Sequence, residues 1–395
     1  LSLLRVLLTH NTKTCDMTQV ATGIIIAYLI TFFLLPLIIR IAHDNKLYDI
    51  PDERKTHNYQ VSSLGGIAIF TGLILSMLLV SDFNNYNADL QYFVAGFFII
   101  FILGLIDDIF ILKAWKKIFG QLAVTAMLTF KGGLLITDLH GFFGIYTLTN
   151  AESIYVSFFS IILLINSFNL LDGVDGLAGS IGLVACLLFG TFFLINNVIP
   201  YAVLAFSICG SLLAFLVYNF PPAKIFMGDS GSTLLGLVCS VLAIKFVQEP
   251  AIQANFLNHS APAIAFGFLL IPLLDVLRVI ALRVYQSRSP LAPDRNHLHH
   301  LLQNKGLTHT EVTITLLTAE FLFAGMTLLL QNADIHLVLT AQFALFFGSV
   351  FILKQFIPVR RKLRIVREEA IADEKDDLKV YPIFPVKEKI SRTED

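Results

Sequence analysis

Two amides and two carboxylates, Asn166, Asn169, Asp172 and Asp175, recur at every third position directly after an apolar run. On a helix each member of such a row touches the next, while the row drifts by about 60° per step. Gly173 and Gly176 then let the backbone leave helical geometry. A helix cap would occupy one carboxylate, not four polar groups, so the cluster points to chemistry.

A second cluster says which chemistry. Asn219 and Lys224 flank Pro221 and Pro222, which end one helix, and Gly228-Asp229-Ser230-Gly231-Ser232 opens the next. A glycine-rich helix start offers free N–H groups and a partial positive charge, which suit a phosphate. Asp229 at that point cannot help bind an anion unless a cation lies between them, and a divalent metal bridging Asp229 to a pyrophosphate resolves the conflict. Mg²⁺ suits oxygen ligands and phosphate partners, with Mn²⁺ as a substitute, whereas zinc would want sulfur and nitrogen ligands.

Two further clusters are weaker taken alone. Asp107 and Asp108 end an apolar run with carboxylates pointing about 100° apart, either to share a cation or simply to stop a helix. Lys113, Lys116 and Lys117 follow and read first as anchors at the membrane face, and second as contacts for a phosphate-bearing ligand. Asp294-Arg295-Asn296-His297-Leu298-His299-His300 combines a guanidinium fork with three imidazoles. Helical spacing puts His297 and His300 on one face and turns His299 elsewhere. Asp275 and Arg278, an i,i+3 pair, read as an internally neutralised structural pair.

These clusters need elements to hold them. The chain of 395 residues is 56% hydrophobic and 14% charged, with a mean hydropathy of +0.74, the composition of a polytopic membrane protein. Eleven apolar stretches are long enough to be read as spans: 21–42, 64–81, 92–107, 116–131, 154–169, 178–196, 199–218, 232–248, 262–282, 312–331 and 336–356. The fold expected is all-α, with an N-terminal segment over 1–20, a transmembrane catalytic domain over 21–356 and a tail over 357–395. No cleavable signal peptide is expected in the first residues. The four cysteines show no metal or disulfide spacing.

Lys and Arg fall mainly in alternate connections, which predicts an outer N-terminus and a cytoplasmic C-terminus. That orientation places all four clusters on the cytoplasmic face, with no comparable cluster on the outer one. Ionisable groups at membrane depth usually face a cavity or one another, so one cytoplasm-facing site built from distant segments is expected.

In order along the chain, Pro51-Asp52-Glu53-Arg54-Lys55-Thr56-His57, Asp107-Asp108, Asn169 to Leu177, Phe226 to Ser232 and Asp294 to His300 resemble the motifs of the polyprenyl-phosphate N-acetylhexosamine-1-phosphate transferases, glycosyltransferase family 4. The likeness runs from about residue 20 to 310 and is greatest to the branch acting on UDP-N-acetylglucosamine. The resemblance implies a multi-pass enzyme of the plasma membrane. It would pass sugar-1-phosphate from a cytoplasmic UDP-sugar to a polyprenyl phosphate, releasing UMP and starting a cell-envelope polysaccharide.

It implies roles as well. Asp229 matches the principal metal ligand, with Asn169 beside it. Asp107 and Asp108 match the pair near the lipid phosphate. Asp172 and Asp175 organise the metal shell or touch nucleotide. Arg295, His297, His299 and His300 match the loop holding sugar and pyrophosphate. Asn166, Asn219, Lys224 and Ser230 are further candidates for substrate contacts. Lys55 and His57 touch phosphate or anchor the first cytoplasmic loop, where Gln60-Val61-Ser62-Ser63 departs from the family pattern. The partners implied are the UDP-sugar donor, the polyprenyl phosphate and the bilayer. No nucleic acid is expected, and a homodimer is left open.

Direct displacement by the lipid phosphate is favoured over a covalent phosphosugar intermediate on an Asp. A different donor, another UDP-N-acetylhexosamine or UDP-MurNAc-pentapeptide, is the nearest alternative. A polyprenol carrier or flippase would instead show polar groups at mid-membrane or on both faces. A CDP-alcohol phosphotransferase would need an Ala-Arg continuation that Asp172-Gly173-Val174-Asp175-Gly176 lacks.

Overall fold

The structure, a computed structural model, describes residues 2–47, 61–81, 89–110, 112–255, 261–289 and 296–358. Its helices are α1 (Ser2–Asp44), α2 (Gly65–Val80), α3 (Asp89–Phe110), α4 (Ala114–Phe130), α5 (Asn150–Leu171), α6 (Leu177–Ile195) and α7 (Ile199–Asn219), then α8 (Gly228–Gln248), α9 (Pro250–Asn255), α10 (Ala261–Gly267), α11 (Leu270–Tyr285), α12 (Leu298–Asn304), α13 (His309–Leu329) and α14 (Ile335–Gln355). One antiparallel ribbon, β1 (Asp138–Phe142) paired with β2 (Ile145–Thr147), joins α4 to α5 and is the departure from an all-α reading. Residues 359–395, which hold nearly all of the expected tail, lie outside the described residues.

All eleven apolar stretches are helical, but they are not eleven equivalent spans. Among the described residues eight helices are long and apolar enough to cross a membrane, and α10 with α11 adds a ninth as a pair bent by 83°. α2, with 16 residues, and α4, with 17, are shorter. At 1.5 Å per residue they reach roughly 24–26 Å, against about 30 Å of hydrocarbon. The sequence reading treated apolar runs alike because hydropathy measures composition and is blind to a bend.

A helix is the natural state of each run, because in lipid every backbone N–H and C=O needs an internal partner. The ends carry their own signals. Thr149 with Glu152 and Thr308 with Glu311 form capping boxes at the starts of α5 and α13, and Pro200 sits in the first turn of α7.

α8 is the axis of the fold. Its hydrophobic window is wholly buried, whereas that of α1 is 22% buried and that of α14 28%. α2, α3, α5 and α6 pack around it, and two glycines set how closely. A Cβ at Gly104 of α3 would lie 2.5 Å from the Ser230 Cα, and one at Gly66 of α2 would lie 2.3 Å from the Gly231 nitrogen. The approach to α8 is stitched to α2 by main-chain bonds from Phe226 N to Ser62 O at 2.8 Å, and from Gly65 N to Phe226 O and Gly66 N to Met227 O, both at 2.9 Å. The start of α8 is thereby fixed against two neighbours.

At the far end of α8, Lys245 donates to Asp89 at 3.1 Å and lies 5.4 Å from the Phe93 ring and 5.6 Å from that of Tyr201. Burial raises the pKa of Glu249 just beyond. The Lys245–Asp89 ion pair stands at the opposite end of α8 from Asp229. Asp89 and Lys245 lie far apart in the chain, and neither announces the other in the sequence. An apolar groove of about 330 Å³ runs between α5, α8, α10, α11 and α14, with Leu163, Ala243, Leu269, Leu273 and Phe343 among its walls.

Candidate active site

α3, α4, α5 and α8 bring their polar ends together in one cleft lined by Gly104, Asp107, Lys117, Gln121, Asn166, Asn169, Asp229 and Thr233. Asp229 stands in the first turn of α8. Its Oδ2 accepts a 2.7 Å bond from Lys117 Nζ, and its Oδ1 accepts one of 2.8 Å from Asn169 Nδ2. The same Asn169 amide donates to Ser232 Oγ at 3.1 Å, so α5 is tied to α8 at two points. Lys117 also forms an ion pair with Asp107 and therefore bridges both carboxylates.

The two adjacent aspartates have separate work. Asp107, on the cleft side, is buried and accepts the Leu112 N–H at 2.6 Å. Asp108 turns to the start of α8, where Oδ1 accepts the Asp229 N–H at 2.7 Å and Oδ2 the Ser230 N–H at 3.0 Å. The helix-start N–H groups expected to cradle phosphate are thus occupied by a carboxylate from α3. Gly228 makes this possible. Its φ is +72°, and a Cβ there would lie 2.0 Å from the Ser63 carbonyl and 2.7 Å from Asp108 Oδ2.

The row beginning at Asn166 is divided among different tasks. Asn166 donates to Gln121 Oε1 at 2.9 Å and to its own helix at Ile162 O. Asp172 caps the end of α5 and is partly exposed to solvent as a residue, but its carboxyl is enclosed by protein. That enclosure, and then the charges of Asp229 and Asp108, push its pKa well up. Asp175 is buried in the next loop, where Oδ2 accepts the Ala223 N–H at 3.2 Å and Oδ1 lies 3.3 Å from His309 Nδ1. Asn219 staples the same region, accepting Gly176 N–H at 2.9 Å and donating to Ile225 O at 2.8 Å. Ser230 is buried at the α8 start, and Lys224 is exposed.

The histidine loop meets the cleft through α11. Asp275 accepts from Arg278 at 2.7 Å, lies 3.0 Å from His297 Nδ1 and accepts the Leu298 N–H at 3.1 Å with either oxygen. The Asp275–Arg278 pair is structural as read, and it also pins the segment carrying the imidazoles. His297 and His299 stack in parallel at 5.8 Å, and His299 lies 4.2 Å from His300. This corrects the helical-face reading, because His297 is the extended residue before α12 and not part of the helix. A Cβ at Gly173 would come within 2.8 Å of His299 Nε2, so this loop touches the one carrying Asp172. Burial, followed by the neighbouring His300, holds the His299 pKa down at about 3. Lys55, His57 and Arg295 lie outside the described residues.

Gln121 was missed as a site residue, and Lys117 reads from sequence as an anchor before it reads as a phosphate contact. They share a face of α4 at i,i+4, and Gln121 is a buried amide in an apolar helix, which was the legible signal. Among the described residues no three His, Cys, Asp or Glu side chains form a ready metal shell. What the cleft offers is two carboxylates with a cationic nitrogen between them. A hard divalent ion that takes one or two carboxylates and completes its shell with water and phosphate fits that donor set, and zinc does not.

Comparison with known proteins agrees with this architecture. Residues 90–247 match the model of glycosyl transferase family 4. The chain is 30% identical over 334 residues to the probable undecaprenyl-phosphate N-acetylglucosaminyl 1-phosphate transferase of Bacillus subtilis (strain 168), covering 83% of this chain and 90% of that protein. It is 32% identical to the decaprenyl-phosphate N-acetylglucosaminephosphotransferase of Mycobacterium leprae (strain TN), over 73% of this chain and 78% of the relative. With the undecaprenyl-phosphate alpha-N-acetylglucosaminyl 1-phosphate transferase of Escherichia coli (strain K12) the identity is 26%, over 80% and 85%. The matched residues 90–247 take in nearly all of α3, α4, α5 and α8, the helices that build the cleft, and with relatives this similar the chain belongs to glycosyl transferase family 4.

Proposed function

We propose that the protein transfers N-acetylglucosamine-1-phosphate from UDP-N-acetylglucosamine to a polyprenyl phosphate, giving polyprenyl-diphosphate N-acetylglucosamine and UMP. The observation that carries this reading is the Asp107–Lys117–Asp229 bridge with Asn169 beside it, at the meeting point of the motif-bearing helices. In this reading all eleven helical segments lie in the membrane, with the N-terminus outside, the cleft facing the cytoplasm and the tail cytoplasmic. The membrane is the plasma membrane, and the product starts a cell-envelope polysaccharide.

The reaction joins two anions, so its barrier is largely electrostatic. An acceptor phosphate oxygen forms a bond to the sugar-bearing phosphorus while the bond from that phosphorus to the bridging oxygen breaks. UMP leaves with the electron pair, and a deprotonated acceptor leaves no proton to dispose of. Mg²⁺, or Mn²⁺ in its place, would be held by Asp229 and Asp107 and would neutralise phosphate charge. Asn169 orients the Asp229 carboxylate, and Asp108 fixes the backbone from which that carboxylate projects. Lys117 supplies a cation within the cleft for a phosphate oxygen. The buried imidazoles of His297 and His299, backed by Asp275, form the wall toward the sugar and pyrophosphate.

Direct displacement is favoured because the two carboxylates of the cleft, Asp107 and Asp229, are already engaged by Lys117, and Asp108 beside them by two backbone N–H groups. UMP/UDP-sugar exchange in the absence of lipid would overturn this. The apolar groove below the cleft suits an isoprenoid chain.

The test is purified protein with radiolabelled UDP-N-acetylglucosamine, undecaprenyl phosphate and Mg²⁺, repeated with UDP-N-acetylgalactosamine and UDP-MurNAc-pentapeptide. Lipid-linked label with UMP release from the first donor is expected. Product from another donor alone would reassign the sugar, and product from none would overturn the transferase reading.

A further inference from the structure

A carboxylate inside an apolar span needs an explanation, and Glu320 of α13 is fully buried. Its Oε2 accepts the Ile271 N–H at 3.2 Å, and among the described residues no hydrogen bond reaches its other oxygen. Ile271 belongs to the first turn of α11, just past the 83° break from α10. A helix start leaves its first N–H groups without helical partners, and within a membrane no water is at hand to satisfy them.

Glu320 is the side chain that meets an N–H group left over at the break. Phe268 N–H bonds to Ile264 O at 3.0 Å and Leu269 N–H to Phe266 O at 3.1 Å, both within or just after α10. Pro272 has no N–H, and that of Leu273 reaches back to Leu269 O at 3.1 Å. Leu270 and Ile271 remain, and Glu320 takes the N–H of Ile271. The other side of the break is held similarly. Gln342 of α14 donates to the Ala263 carbonyl and to Thr327 Oγ1, both at 2.9 Å, and a Cβ at Gly267 would lie 2.4 Å from Thr327 Oγ1. All three polar side chains are fully buried.

The break matters because Asp275 lies one helical turn beyond Ile271. Asp275 is the residue that holds His297, the Leu298 N–H and Arg278, and a shift at the start of α11 passes directly to it. We propose that Glu320 is a positioning residue for the transfer reaction: it fixes the start of α11 and, through Asp275, the place of the histidine loop. The proposal rests on the transferase reading. It assigns work to α13 and α14, which carry none of the family motifs.

The test compares Glu320→Leu with Glu320→Gln in detergent, with steady-state kinetics beside hydrogen exchange over 270–304. The Gln amide keeps a carbonyl acceptor for the Ile271 N–H but buries an NH₂, so it is expected to lower the melting temperature while kcat stays within about threefold of wild type. The Leu variant is expected to lose about tenfold or more in kcat, given how steeply rate falls with misplacement, and to gain exchange over 270–285 and 296–304 but not in α8. Unchanged kcat and exchange in Glu320→Leu would overturn the proposal, as would a loss of kcat in Glu320→Gln as large as in Leu. If Glu320→Leu does not fold, Gln342→Leu at the other side of the break replaces it, with the same local rise in exchange expected and its absence counting against. Wild-type protein without transferase activity would sink the functional reading alone, because the exchange measurement needs no substrate.

Discussion

The Asp108 carboxylate accepts the backbone N–H of Asp229 at 2.7 Å, so an acidic side chain from α3 caps the helix that presents the principal candidate metal ligand. Asp107, its neighbour in sequence, instead enters the cleft. Asp108→Ala is therefore expected to destabilise the protein by about 1–2 kcal/mol, the usual cost of removing a helix cap. Asp107→Ala leaves that cap in place, so the melting temperatures of the two variants in detergent separate the roles. A larger drop for Asp107→Ala would refute the division.

Lys117 joins Asp107 to Asp229 where a divalent ion is expected to bind. Lys117→Met is expected to lower kcat by about 100-fold, as with loss of a charge-stabilising group. The stabilisation of the folded protein by added Mg²⁺, read as a thermal shift, is expected to be at least as large as in wild type, since a competing cation has gone. Reduced stabilisation by Mg²⁺ would place Lys117 on the side of metal binding and not of substrate.

Chelation tests the metal itself. EDTA is expected to abolish turnover, and Mg²⁺ or Mn²⁺ to restore it. Asp229→Asn is expected to show neither restored activity nor the Mg²⁺-dependent thermal shift. Turnover that persists in EDTA would remove Asp229 from the role assigned to it.

His299 gives a pH signature. Its folded pKa, at about 3, lies below the ordinary value of 6.5. Between those values the unfolded chain binds the proton and the folded chain does not, so stability falls as pH drops from about 6.5 toward 3 and is recovered above 6.5. His299→Gln is expected to flatten this part of the profile of melting temperature against pH. An identical slope in both proteins would mean that the imidazole is not held neutral.

The apolar runs made the helices legible, and the order of the polar clusters located the cleft. Asn169 and Asp229 could be paired before any coordinates, as could Asp275 with Arg278 along one helix. Other features depend on tertiary contact. Lys117 stands among lysines at a membrane edge, where composition cannot tell an anchor from an inward-facing cation. The parallel stacking of His297 on His299 depends on where α12 begins, a boundary that histidine spacing does not reveal. Asp175 and Asn219 bond mainly to backbone groups of other loops, and backbone positions carry no mark in the sequence. Glu320 was visible as an acid within an apolar stretch, but its meaning depends on a bend in another helix.

The complete enclosure of α8 separates the chemistry from the lipid around the protein. A lipid-exposed helix tilts or slides when bilayer thickness changes, at a cost of fractions of a kcal/mol per Å. α8 has no such freedom, because its height is registered by main-chain bonds to the start of α2 and by close packing on Gly104. Changes in acyl-chain length therefore act on the outer helices, such as α1 and α14, and on access to the apolar groove. The place of Asp229 against the start of α2 is expected to stay constant while the surrounding annulus adjusts.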